Sequence, residues 1–240
     1  MTRQRVHLLD SAEAAISGAA EEVVALLREG CRRREKASVA LPGGETPHPL
    51  YRLLAERYRD AAPWDQIFFF LTDERFVPPD HPQSNYRMVR EALLDPLGVP
   101  EANRFPYRTT RIELNRAARR SEETLLQVVG RPPRFDLILL GVGEDGHIAS
   151  LFPRFVPPGE RWVTAVRNAP KPPPKRLTLT YRTLNAAREL LFLVLGERKA
   201  GIVEEIFRQP PRRTDLPVHR LKAERHVWFL DRAAGRALLS

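Results

Sequence analysis

Two residues that could carry acid–base chemistry, Asp145 and His147, stand two positions apart in the segment FDLILLGVGEDGHIASLFP, residues 135–153. A histidine can accept and return a proton near neutral pH, and a neighbouring carboxylate can hold its ring in one orientation. Such a pair suits the activation of a water molecule for hydrolysis. We therefore predict that His147 is the general base of a hydrolase and that Asp145 orients it.

The residues before this pair predict the strand that positions it. Residues 135–140 form a nearly continuous apolar run, which is typical of a strand buried on both faces of a parallel sheet. Gly141 and Gly143 then allow the backbone to turn tightly or to lie close to a ligand. Because open α/β sheets bind ligands at the carboxyl ends of their central strands, we expect the acid–base pair to lie at that edge.

A second group of residues follows the predicted strand 38–41. Gly43 and Gly44 can turn their backbone N–H groups inward, and Thr46 adds a hydroxyl donor. A helix begins at about Pro47, so its positive end faces the same place. These features predict a phosphate-binding turn, although an ordinary strand-to-helix turn is an equally good interpretation.

Four charged residues stand close to the ends of other predicted strands. Asp73 and Arg75 follow an apolar run, Arg176 follows a proline-rich loop, and Lys199 lies in the first turn of a late helix. A lysine at that position opposes the helix dipole, which favours a functional role for its charge. These residues could bind an anionic substrate; surface ion pairs and a stiff polyproline loop are the plain structural alternatives.

Strands and helices alternate along the chain, and no linker or internal repeat divides its 240 residues. This alternation predicts one α/β domain, residues 1–240, with a mostly parallel sheet. We expect strands at 38–41, 66–71, 135–140, 162–166, 176–180, 189–195 and 226–230. We expect helices at 11–36, 47–58, 85–94 and 113–129, a helix that ends at about 207, and a short final helix at 231–239.

The composition narrows the functional classes. Of 39 basic residues, five are lysine and 34 are arginine, and the net charge is +9, which favours an anionic substrate. The basic residues are interleaved with acids and form no nucleic-acid-binding motif, so we expect no nucleic-acid partner. The N terminus lacks a secretory signal and no apolar run reaches membrane-spanning length, so we expect a cytoplasmic protein without a membrane partner.

Two other kinds of site fit the central segment less well. Residues 141–146 read G-x-G-x-x-G, as in a dinucleotide-binding turn, but Pro153 and the prolines after it leave room for barely two helical turns. A metal site is disfavoured because Asp145 and His147 have no second histidine at ligand spacing and Cys31 is the single cysteine. We therefore expect neither a metal nor an organic cofactor.

Five segments taken together resemble the glucosamine-6-phosphate isomerase/6-phosphogluconolactonase family. They span roughly residues 40–200 in family order: LPGGETP, TDERFVPPDHPQSNY, FDLILLGVGEDGHIASLFP, PPPKRLTLTYRTLN and LFLVLGERKA. The resemblance implies a three-layer αβα fold with an open, mostly parallel, Rossmann-like sheet of the sugar-phosphate isomerase superfamily type.

The resemblance also implies an activity, the hydrolysis of 6-phospho-D-glucono-1,5-lactone to 6-phospho-D-gluconate in the oxidative pentose phosphate pathway. Phe152 stands where the deaminases of the family carry a catalytic glutamate, which favours the lactonase activity. A deaminase-like sugar-phosphate isomerase and a non-catalytic sugar-phosphate sensor remain the alternatives. Glu45 departs from the lactonase pattern, in which serine is frequent, so we expect its carboxylate to point away from a phosphate.

The expected ligand is therefore a phosphorylated sugar lactone, and the expected assembly is a monomer or a small homo-oligomer. His147 and Asp145 are the predicted catalytic residues. The predicted substrate-binding residues are Gly43, Gly44, Thr46, Asp73, Arg75, Arg176 and Lys199.

Overall fold

Residues 3–208 and 215–239 are described by the computed structural model, in which helices pack on a central sheet. In chain order the strands and helices are β1 (Arg3–Leu9), α1 (Ala12–Arg34), β2 (Ala37–Leu41), α2 (His48–Arg57), β3 (Ile67–Leu71), β4 (Asp73–Arg75), α3 (Asn85–Val89), β5 (Arg104–Phe105), α4 (Leu114–Val128), β6 (Leu137–Leu140), β7 (Val163–Val166), β8 (Arg176–Leu179), α5 (Tyr181–Ala186), β9 (Glu189–Val194), α6 (Ala200–Phe207) and β10 (Arg225–Asp231).

The central sheet has seven strands in the order β1-β10-β9-β6-β2-β3-β5, and all neighbouring strands are parallel. Strand β6, predicted from the apolar run at 135–140, is the middle strand of this sheet. A smaller antiparallel sheet has the order β4-β8-β7. The mostly parallel α/β architecture expected from the sequence is thereby confirmed.

Helices cover both faces of the central sheet. In β10, Phe229 packs on α1 so closely that a Cβ atom on Gly18 would lie 2.9 Å from its ring. The adjacent Trp228 contacts Phe207 of α6, with ring centroids 5.1 Å apart. Because successive residues of a strand point to opposite faces, α1 and α6 lie on opposite sides, and the layers follow the predicted αβα order.

Differences from the predicted elements lie mainly at the chain ends. The sequence analysis predicts no strand at Arg3–Leu9, where the charged residues of β1 are those of an edge strand, paired with β10 alone. The final helix predicted at 231–239 is wrong: β10 continues to Asp231, and a single 3-10 turn follows at Arg236–Leu238. The helix predicted at 85–94 is an α-helix to Val89 and a π-helical turn after it.

No helix among the described residues is long and apolar enough to cross a membrane.

One buried histidine gives the fold a pH dependence. His226 in β10 is 6% exposed, its Nε2 atom makes no hydrogen bond within the described residues, and its ring lies edge-on to Phe192. Burial disfavours the charged imidazole and lowers the pKa of His226 to about 4.

We predict that His226 makes the protein less stable in mild acid. Below the ordinary pKa of 6.5, the unfolded chain binds a proton that the native His226 does not, so the free energy of unfolding falls as the pH falls towards 4. The expected loss is about 2 kcal/mol between pH 7 and pH 5. The free energy of unfolding, measured with urea at several pH values, should change less steeply with pH in His226→Gln than in the wild type. The control His81→Gln should keep the wild-type pH dependence. An equal pH dependence in the wild type and His226→Gln would contradict this origin.

Candidate active site

Four neighbouring strands of the central sheet, β9, β6, β2 and β3, end at one edge, and the loops that follow them surround a cavity of about 520 Å³. Eight of the nine predicted site residues line this cavity: Gly43, Gly44, Thr46, Asp73, Arg75, His147, Arg176 and Lys199. The ninth, Asp145, does not line the cavity but is hydrogen-bonded to His147, which does. The fold therefore brings together residues that lie more than 150 positions apart in the chain.

The acid–base pair follows β6. His147 Nδ1 lies 2.5 Å from Asp145 Oδ1, and the backbone N–H of His147 donates to the same oxygen at 3.3 Å. A carboxylate can only accept from the ring, so the proton belongs on Nδ1. The Nε2 atom has no hydrogen-bond partner within the described residues, and in this tautomer it carries the lone pair that a general base needs.

Asp145 is held in its charged form. Burial opposes ionisation of this half-buried carboxyl, but the hydrogen bond from His147 and the charge of the protonated imidazole outweigh burial and lower the pKa of Asp145 to about 2. The carboxylate is thus a fixed negative charge at neutral pH, suited to orient the imidazole rather than to exchange protons.

The space for this pair depends on Gly143. A Cβ atom at position 143 would lie 2.0 Å from His147 Nδ1 and 2.5 Å from Asp145 Oδ1. These distances are too short for any residue with a side chain to stand there. The imidazole also contacts the buried ring of Phe152, with centroids 4.9 Å apart. The glycine and the phenylalanine together fix the position of the ring.

The glycine turn after β2 has unused hydrogen-bond donors. Gly44 has a φ of +99°, in the region that favours glycine. Within the described residues, the backbone N–H groups of residues 43–46 donate no hydrogen bond, and α2 begins directly afterwards at His48, one residue later than expected. Free N–H groups beside a helix N terminus can bind an anion. Glu45 is exposed at the rim of the cavity.

Asn85, the first residue of α3, is a site residue that the sequence analysis missed. It is buried and lines the cavity, and its amide fills the space that a side chain at position 43 would need, with Oδ1 only 1.8 Å from a Cβ atom there. Its Nδ2 donates to the backbone oxygen of Asp73 at 2.9 Å. Asn85 therefore joins the glycine turn to the strand that carries Asp73. The only signal in the sequence is its place in the segment TDERFVPPDHPQSNY.

Asp73 is fixed by hydroxyl groups rather than by a cation. Its Oδ2 accepts a hydrogen bond from Ser150 Oγ at 2.6 Å, and its Oδ1 accepts one from Thr72 Oγ1 at 3.2 Å. The neighbouring Glu74 turns away and accepts the N–H groups at the start of α3. Its burial raises the pKa of Glu74, whereas the N–H donors lower it. Asp73 faces the cavity, and Glu74 stabilises the helix.

The three predicted cations are held by backbone oxygens. Arg75 Nη1 donates to Gln83 O at 2.8 Å, Arg176 Nη2 to Lys171 O at 2.9 Å, and Lys199 Nζ to Val142 O at 2.8 Å. None of these three cations forms an ion pair within the part of the chain that the structure describes. Carbonyl oxygens position the cations without cancelling their charge, so the cavity attracts an anion.

Burial lowers the pKa of Lys199 and of Arg176, and Glu144 beside Lys199 opposes the change. Lys171, in the proline-rich loop before Arg176, also lines the cavity. Over residues 3–208 and 215–239, no group of three histidine, cysteine, aspartate or glutamate side chains could hold a metal ion.

Comparison with known proteins gives a consistent result. A family described as "Glucosamine-6-phosphate isomerases/6-phosphogluconolactonase" matches residues 10–229. The 6-phosphogluconolactonase of Synechocystis sp. is 43% identical over 183 residues, covering 74% of each chain. That of Thermotoga maritima is 36% identical over 179 residues, covering 75% of this chain and 78% of the relative.

Solved structures agree. The 6-phosphogluconolactonase of Thermotoga maritima superposes with a TM-score of 0.85 at 32% identity, covering 95% of this chain and 100% of the other. The 6-phosphogluconolactonase of Trypanosoma brucei superposes with a TM-score of 0.86 at 26% identity, covering 99% of this chain and 100% of the other. A monomeric glucosamine-6-phosphate deaminase superposes with a TM-score of 0.82 at 21% identity, covering 97% of this chain and 99% of the other, which shows a shared fold.

We predict that His147 carries its proton on Nδ1 when the imidazole is neutral. The ¹⁵N chemical shifts of the ring should identify Nδ1 as the protonated nitrogen, because Asp145 Oδ1 accepts from it. Asp145→Ala should shift the ring towards the Nε2–H tautomer, whereas the exposed-site control Asp60→Ala should leave it unchanged. A wild-type ring protonated on Nε2 would contradict the assigned geometry.

Proposed function

The chain belongs to the glucosamine-6-phosphate isomerase/6-phosphogluconolactonase family, and we propose that it is a hydrolase that opens 6-phospho-D-glucono-1,5-lactone to 6-phospho-D-gluconate with His147 as the general base. This reaction is a step of the oxidative pentose phosphate pathway. One observation carries the proposal: an Asp–His pair and a set of cations without carboxylate partners share one cavity. A phosphorylated cyclic ester requires both groups.

The proposed reaction begins at Nε2 of His147. This atom takes a proton from a water molecule while the water oxygen bonds to the lactone carbonyl carbon. Asp145 stabilises the resulting imidazolium through Nδ1, at the 2.5 Å contact. The tetrahedral intermediate then collapses, the bond from the carbon to the ring oxygen breaks, and the imidazolium returns its proton to that oxygen. The products are the ring-opened acid and the neutral histidine.

The loop after β6 offers N–H groups for the oxygen that becomes negatively charged. The N–H groups of Gly143 and Gly146 are already used, in bonds to the backbone oxygens of His147 and Gly143. Those of Val142 and Glu144 donate no hydrogen bond within the described residues. They are the proposed oxyanion donors, fixed in place before the reaction begins.

The phosphate is proposed to bind at the glycine turn. Gly43, Gly44, Thr46 and Lys199 all line the cavity, and the N–H groups of the two glycines donate no hydrogen bond within the described residues. Arg75 and Arg176 supply further positive charge, and a guanidinium can bind a phosphate with two parallel hydrogen bonds. Asp73, already oriented by two hydroxyl groups, is proposed to accept a hydrogen bond from a sugar hydroxyl.

The deaminase alternative lacks its acid–base residue. Phe152 is 7% exposed and packs on the His147 ring, so the position assigned to the deaminase glutamate holds a hydrocarbon ring. A non-catalytic sensor would use the same phosphate site, so only an activity assay distinguishes a sensor from an enzyme. The cytoplasmic location, the monomer or small homo-oligomer, and the absence of a cofactor and of nucleic-acid binding stay predictions.

We predict that the protein accelerates acid release from freshly prepared 6-phosphoglucono-1,5-lactone above the spontaneous rate. His147→Ala should lower kcat by a factor of about 10² to 10⁴, because the general base is lost while the phosphate contacts remain. A pH-stat assay in weak buffer measures both rates, and His81→Ala serves as the matched histidine control.

Ammonia release from glucosamine 6-phosphate, followed in parallel, tests the deaminase alternative. No acceleration of either reaction would favour the sensor, and wild-type turnover by a folded His147→Ala variant would remove the histidine from the mechanism.

We predict that Lys199 acts on the phosphate rather than on the lactone ring. Lys199→Ala should raise KM for the phosphorylated lactone about tenfold or more, because a charge-assisted contact is lost. KM for unphosphorylated glucono-1,5-lactone should hardly change. The exposed Lys222→Ala carries the same charge change and should alter neither value; equal losses for both lactones in Lys199→Ala would rule out the phosphate role.

A further inference from the structure

Lys199 lies in a short turn between β9 and α6 and lines the candidate active-site cavity. Gly196 begins this turn, and a 3-10 turn follows at Glu197–Lys199. We call residues 196–199 the lysine turn. Because Lys199 is its last residue, the position of the ammonium group depends on the backbone shape of the lysine turn.

The lysine turn has an unfavourable local structure. Gly196 has a φ of 88° and a ψ of 154°, a combination that is essentially restricted to glycine. A Cβ atom at position 196 would meet nothing within 4 Å, so the backbone conformation, and not crowding, requires the glycine. Lys199 also places a cation at the start of α6, where the helix dipole opposes it. Contacts from outside the lysine turn are therefore needed to hold it.

Asp231, the last residue of β10, supplies such a contact. It is 6% exposed, and both of its carboxylate oxygens accept the backbone N–H of Gly196, at 3.1 and 3.0 Å. The backbone oxygen of Gly196 in turn accepts the N–H of Lys199 at 3.0 Å. A continuous series of hydrogen bonds therefore runs from Asp231 through Gly196 to Lys199.

The charge of Asp231 has no cationic partner. The carboxylate forms no ion pair within the described residues, and burial of an unpaired charge is costly. Its partners are backbone donors, the N–H of Gly196 and the N–H of Ala234 at 2.8 Å. A hydrogen bond to a charged acceptor is about twice as strong as one between neutral groups, so this carboxylate is suited to hold Gly196 in its unusual conformation.

Two ion pairs also contact the lysine turn. Arg236 pairs with Glu197 at 2.6 Å, and Arg198 pairs with Glu144 at 2.9 Å. All four side chains are exposed, and exposed ion pairs contribute little to stability. The buried contact from Asp231 is therefore the stronger support of the backbone.

We propose that Asp231 is a positioning residue for phosphate binding: through Gly196 it fixes the lysine turn, and thereby the ammonium group of Lys199. Asp231 does not line the cavity, so it acts through Lys199 and not on the substrate itself. This proposal rests on the phosphate role of Lys199 in the proposed function. Its consequence is selective, because Asp231 should affect the binding of phosphorylated ligands and leave the handling of the lactone ring unchanged.

Calorimetric titration with 6-phospho-D-gluconate, the product of the proposed reaction, tests the role without turnover. Asp231→Asn puts an amide NH₂ group at the 3.0 or 3.1 Å contact with the Gly196 N–H whichever way the amide is turned, so that a donor faces a donor. The affinity should fall about fivefold, within the range for residues that act through one another.

Asp231→Ala removes the acceptor without adding a donor and should show a similar loss, so the test stands if one of the two variants does not fold. Wild-type affinity in a folded Asp231 variant would overturn the proposal. So would the absence of detectable binding by the wild-type protein.

Asp136→Asn is the matched control. Asp136 is also buried and also accepts a backbone N–H, that of Ser38 at 2.8 Å, but it precedes β6 at the opposite edge of the sheet. Its affinity for 6-phospho-D-gluconate should equal that of the wild type. Equal losses in Asp136→Asn and Asp231→Asn would mean a general effect of removing a buried carboxylate and would overturn the proposal.

Two further measurements separate positioning from a merely structural role. In the Lys199→Ala background, Asp231→Asn should cause no further loss of affinity, because it acts through the missing ammonium group. In Asp231→Asn alone, kcat/KM for unphosphorylated glucono-1,5-lactone should equal the wild-type value. A further loss in the double variant, or a lower kcat/KM for the unphosphorylated lactone, would overturn the proposal. Wild-type binding of 6-phospho-D-gluconate without lactone hydrolysis would instead contradict the proposed function and leave the role of Asp231 standing.

Discussion

The parallel alignment of four central strands is the constraint on which the candidate active site depends. Leu41 of β2 pairs with Leu71 of β3, and Leu140 of β6 pairs with Phe192 of β9, so the strands end nearly level. Parallel strands point their carboxyl ends the same way, and every loop that leaves this edge therefore enters one space. The glycine turn after β2, strand β4 with Asp73, the loop that carries Asp145 and His147, and Lys199 just before α6 meet there because the sheet is parallel.

Within that space, two important contacts depend on glycines, because a residue with a side chain would occupy the same volume. Gly143 leaves room for His147 and Asp145, and Gly43 leaves room for the amide of Asn85. In both places a Cβ atom would overlap a polar side chain at 2.0 Å or less. The two glycines do not act mainly through a flexible backbone; because they lack a Cβ atom, they let a functional side chain lie against the main chain.

The predictable part of the structure follows from local pattern. Strand β6 is a continuous apolar run, and β2, β3 and β9 are mostly apolar, so the hydrophobic sequence is enough to predict these four strands. Strand β1 is mostly exposed, and because of its charged residues its sequence lacks the regular alternation of apolar and polar residues that indicates a strand. The final segment has helix-forming residues, but its first residue, Asp231, still belongs to β10 and pairs with Leu9 of β1. The residues after it form turns and one 3-10 turn at Arg236–Leu238 instead of a helix.

For the site, the sequence reveals residues whose chemistry is evident beside a strand end, and it conceals those that act through a distant partner. Asp145 and His147 are two positions apart, so their contact follows from local geometry. Ser150, in contrast, orients Asp73 across 77 residues, and Asn85 acts on a glycine 42 positions before it. No local pattern links such pairs, because the link exists only once the sheet has formed.

The electrostatic state of the cavity is also a product of the fold. Asp73 is oriented by hydroxyl groups, and Glu144 pairs with Arg198 rather than with Lys199. Lys199, like Arg75 and Arg176, is instead bound by a main-chain oxygen. Asp73 and Glu144 are thus not paired with any of these three cations, and the Arg198 that pairs with Glu144 is a further arginine of the cavity lining. A dianion that enters meets positioned positive charge that needs neither a broken ion pair nor a large rearrangement, which is the condition for strong electrostatic binding at low reorganisation cost.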